Sequence, residues 1–131
     1  MLDIVSFETA KQLKEAGFPQ PSARFGQFWY DETSEALNCI GFEDFSIWFE
    51  DLVLEGYIFA PTATDILRLL PGVYLCVNDK SIWRAEWAGV SCYDNDPPLA
   101  KGEAPAEVAA AAWLLLKVRH IDLKITGNLN A

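Results

Sequence analysis

Trp83 and Trp87 stand four residues apart in a run that alternates like a strand, with the small Ala85 between them. Strand geometry puts both indoles on one face. An aromatic wall of this kind stacks on a sugar, a base or a peptide side chain, and Asp94 and Asp96 in the following loop would add acceptor oxygens to a small-molecule pocket. The same wall can instead receive the Leu114–Leu116 side of the last helix, which is the simpler account. Asp94 and Asp96 lack the further oxygen positions and closing glutamate of a calcium loop, and Lys101 follows nearby, so an Asx turn explains them. Arg84 and Glu86 fall on the opposing strand face and read as solvated sheet charges, not as an acid–base pair. Neither metal nor cofactor is expected.

Other reactive residue types do not assemble into a centre. His120 is the one histidine. A catalytic base needs an orienting partner and a nucleophile within hydrogen-bond reach, and the pattern does not gather Asp122, Ser91 or Cys92 around it. A cation at a helix C-terminus explains it directly. Glu43 with Asp44, and Glu50 with Asp51, are adjacent pairs whose members point to opposite strand faces, so neither is a dyad. Cys39, Cys76 and Cys92 are odd in number and widely spaced, unlike a disulfide framework or a zinc site. All three read as small core side chains in a reducing compartment. Thr62 and Thr64 open a helix whose free amides could hold an anion, but Asp65 opposes it, and no Gly-rich phosphate loop is present. No catalytic residue is assigned.

Composition carries more. The stretch Phe25–Leu67 holds nine carboxylates and ten aromatic side chains, with no Lys or Arg. Trp29, Tyr30, Trp48 and Phe49, with the acidic Glu50 and Asp51, are the residues expected to form an apolar contact patch rimmed by charge. Nineteen acidic against ten basic side chains give a formal charge of −9, which repels phosphate backbones and argues against direct nucleic-acid binding. The first reading is therefore a non-catalytic protein-interaction or accessory domain that meets a protein partner or a second copy of itself. An acidic inhibitor mimicking nucleic-acid charge is the second, and a small-molecule-binding enzyme the third.

The elements that would position these residues are readable in outline. At 131 residues, with 51% hydrophobic and 22% charged side chains, the chain suits one folded domain over residues 1–131. Its longest apolar run, Val108–Leu116, falls far short of the about 18 residues a membrane span needs. Asp3 stands where a secretory signal would be basic, so the cytoplasm is the expected compartment. A first helix is expected over Phe7–Ala16, capped by Ser6 and closed by Gly17 and Phe18. Strands are expected at Phe25–Tyr30, Ala36–Ile40, Phe45–Glu50 and Leu52–Phe59, around a polar turn at Asp31–Glu35. Thr62 and Asp65 have capping-box spacing for a helix over Ala63–Leu70. Val73–Val77, Ser81–Trp87 and Val90–Tyr93 suggest an antiparallel meander, and Asn95–Gly102 a loop. Pro105 opens a last, nearly all-apolar helix to about Val118, and residues 122–131 are expected to fray. The class is α+β: three helices on a mainly antiparallel, curved sheet of about four to six strands.

The opening FETAKQLKEAGFPQP at Phe7–Pro21, Gly26–Tyr30, Phe59–Leu67 and the Ala-rich helix of Trp113 together resemble a set of small uncharacterised bacterial proteins, phage- and prophage-associated members among them. The resemblance implies an accessory or host-interaction role and brings no catalytic residues with it.

Overall fold

The computed structural model describes residues 3–21, 26–40, 56–87 and 98–118. Within them lie three helices and six strands, and every strand pair is antiparallel, an α+β architecture. Among the described residues the strands form two three-stranded antiparallel sheets, in keeping with the expected mainly antiparallel α+β class. Contacts gather in two compact units, Ile4–Pro61 and the combination of Met1–Asp3 with Thr62–Ala131.

In Ile4–Pro61, helix α1 (Phe7–Glu15) starts where the Ser6 hydroxyl accepts the Thr9 amide at 3.2 Å. It stops in a Schellman motif. The Phe18 amide donates to the Leu13 carbonyl at 2.8 Å and the Gly17 amide to that of Lys14 at 3.0 Å. Gly17 takes the required left-handed conformation at φ 94°, and Phe18 folds back into the interior. The buried face of α1, Ala10 and Leu13, packs toward strand β3. Strands β1 (Phe28–Asp31), β2 (Leu37–Cys39) and β3 (Tyr57–Phe59) form a sheet of order β2-β1-β3. The expected strand over 25–30 thus begins at Phe28 in the described residues, and the one expected over 52–59 is seen as Tyr57–Phe59. The strand expected at Phe45–Glu50 lies outside the described residues.

The central strand brings two large aromatics inside. Trp29 is fully enclosed, its ring 5.3 Å from that of Phe59 and its indole N–H donating to Gln27 Oε1 at 3.1 Å. Tyr30 meets Phe7 edge to face at 5.6 Å, and its hydroxyl donates to the Val5 carbonyl at 2.7 Å. Gln20 ties the loop after α1 to the sheet, accepting from the Phe59 amide at 2.9 Å and donating to the Phe18 carbonyl at 3.2 Å.

The second unit begins with helix α2 (Ala63–Leu67). Its capping box is complete, with Thr62 Oγ1 accepting from the Asp65 amide and Asp65 Oδ2 from the Thr62 amide. Two strands, β4 (Val73–Val77) and β5 (Trp83–Trp87), pair through a turn held by Asn78, whose Oδ1 accepts from the amides of Lys80 and Ile82. The third strand of this sheet corrects the sequence reading. Ala100–Gly102, expected to be loop, forms β6 on the other side of β5, while Val90–Tyr93 lies outside the described residues. Ala-Lys-Gly has little strand propensity of its own, so pairing with β5 creates this strand. Gly102 also admits α3 (Pro105–Val118) closely, since a Cβ there would sit 3.3 Å from Val108 Cγ2.

Helix α3 starts at a proline, and the residue before it, Ala104, has no capping side chain. The cap comes from the far end of the chain, where Asp3 Oδ1 accepts the Ala106 amide at 3.0 Å. Sequence spacing gave no hint of this. Asp3→Ala is expected to lower stability by about 1 kcal/mol, and Asp3→Asn by much less. Urea denaturation of the two variants checks this.

Candidate functional site

The hairpin of β1 and β2 is shaped at both ends by left-handed residues. At its open end Gly26, at φ 88°, forms a bulge: its amide donates to the Ile40 carbonyl at 2.9 Å, while the Ile40 amide donates to the carbonyl of Gln27 at 2.9 Å. A Cβ on Gly26 would meet nothing within 4 Å, so the conformation alone calls for glycine. At the tip, Asp31 Oδ1 accepts the amides of Thr33 and Ser34, and its carbonyl accepts that of Glu35 at 2.8 Å. Glu35 occupies the left-handed position at φ 62° without the freedom of a glycine.

The parity of hydrogen bonding along β1 decides what β2 presents. The Ala60 amide donates to Phe28, and the Glu32 amide to Gly56, so the even residues of β1 bond toward β3. The Asp31 amide donates to Ala36, so the odd residues bond toward β2. With Trp29 opposite Asn38 in register, Asn38 turns its backbone groups to β1, and Leu37 and Cys39 turn theirs to the outer edge. Among the described residues β1 is the only strand paired with β2, and Leu37, Asn38 and Cys39 are all exposed. Cys39 therefore does not serve as the core side chain expected of it. Around this edge the tip offers exposed Glu32 and Glu35, with Lys14 Nζ bonded to Glu32 Oε1 at 2.6 Å.

The expected contact patch is not borne by its first members. Trp29 is 0% and Tyr30 9% exposed, because both faces of the central strand are covered. Trp48, Phe49, Glu50 and Asp51 lie outside the described residues. The large apolar side chains exposed among the described residues are aliphatic: Leu37, Val77 and Val118. For the pocket reading, Trp83 and Trp87 do share a face with the buried Ala85, and both are half-buried. Helix α3 packs on β5 and β6, and Trp87 lies over Gly72, uses that fit core packing. Asp94 and Asp96 lie outside the described residues, as do Cys92 and His120.

The opposite face of the β4–β5 pair holds a group that the sequence reading placed in water. Glu86 is 2% exposed. Register sets Tyr74 across from Glu86 and Cys76 across from Arg84. Arg84 Nη2 stands 3.4 Å from Glu86 Oε1, and the Cys76 thiol donates to Glu86 Oε2 at 3.7 Å. Both carboxylate oxygens are thus engaged, which suits a neutralised buried charge better than a free general base. Period-two alternation identifies this face correctly but cannot say whether another element covers it. Among the described residues no cluster of three or more His, Cys, Asp and Glu is arranged to hold a metal ion, and no helix is long and apolar enough to cross a membrane.

Two stability tests follow from these contacts. Gly26→Ala should cost about 1 kcal/mol through backbone strain, whereas Glu35→Gly should gain roughly 0.5 kcal/mol by relieving it; opposite shifts of the denaturation midpoint check the pair. Glu86→Ala should cost about 2 kcal/mol because it removes the carboxylate to which Arg84 Nη2 and the Cys76 thiol bond, and Arg84→Met combined with Glu86→Leu should recover part of that loss in a double-mutant cycle. No protein-family model, curated protein or solved structure matches this chain, so the reading of its site rests on its own chemistry.

Proposed function

We propose that this chain is a non-catalytic interaction domain whose unit Ile4–Pro61 receives a basic protein partner. Supporting the reading is the uneven distribution of charge between the two units. Ile4–Pro61 contains ten carboxylates against Lys11, Lys14 and Arg24, so it supplies −7 of the formal −9. One of those cations, Lys14, is already bonded to Glu32. A field of this sign attracts cationic partners and speeds their encounter. It also opposes self-association, since a second copy brings the same charge.

Mimicry of nucleic-acid charge would draw on the same carboxylates. The exposed Leu37 beside these carboxylates favours a protein partner, because a charge mimic has no use for an apolar side chain. An accessory role of the kind implied by the resemblance to phage-associated bacterial proteins would be served in this way.

Oligolysine tests the reading by fluorescence anisotropy. Binding is expected at low ionic strength and should weaken steadily as salt rises. Glu35→Lys, in the acidic unit, should weaken it by about two- to fivefold, and Glu103→Lys, in the other unit, by less. No binding at low salt, or equal effects of the two reversals, would refute the proposal.

A further inference from the structure

We draw no further inference here: the strongest candidate, the side-chain cluster of Cys76, Arg84 and Glu86 on one face of the β4–β5 pair, is accounted for by neutralisation of the buried Glu86 within the cluster itself, and nothing in the structure shows what it would bind.

Discussion

The hydrogen-bonding parity of strand β1 is the constraint on which the acidic unit depends. A strand between two neighbours must send successive backbone groups to opposite sides. Phe28 and Tyr30 bond toward β3, and Trp29 and Asp31 toward β2. Once that is set, the register leaves no choice about which residues of β2 face outward. The side chains follow their own alternation, and here Trp29 and Tyr30 are enclosed on opposite faces, one against Phe59 and the other against Phe7 and Val5. A shift of one residue would expose a different set of amides and disrupt both packing arrangements together.

Charge supplies a second, weaker layer. Among the described residues of the acidic unit, carboxylates are placed where water can solvate them, at the hairpin tip and on the outer face of α1. The one deeply buried carboxylate among the described residues, Glu86, belongs to the other unit and has Arg84 and Cys76 against its two oxygens. The two situations differ in what they cost. An exposed carboxylate costs little and shapes the long-range field, while a buried one must have partners or be neutralised.

Much of the fold was legible because it is written locally. Ser6, Gly17 and Phe18 mark both ends of α1, Thr62 and Asp65 open α2, and Asn78 turns β4 into β5. Each signal works over a few residues. What escaped reading depends on residues distant in sequence. β6 is a strand only through pairing with β5, and the burial of Glu86 is a matter of what covers one face of a sheet. The expected contact patch at Trp29 and Tyr30 had the same weakness. Aromatic richness reports the area available for burial but not whether a small interior can take it in, and for these two rings it can.

The bond from Asp3 to the first turn of α3 spans 103 positions of the chain. Read as connectivity, Ile4–Pro61 is an insert within the sequence of the other unit. Closing a flexible loop of that length costs on the order of 4 kcal/mol of chain entropy, far more than one capping bond returns. Halving the flexible length saves only about 0.6 kcal/mol, so folding of the insert alone leaves the closure costly. The Asp3 cap is therefore an addition to a helix whose place is set by packing on α2, β5 and β6, and it closes once those contacts have brought α3 into position.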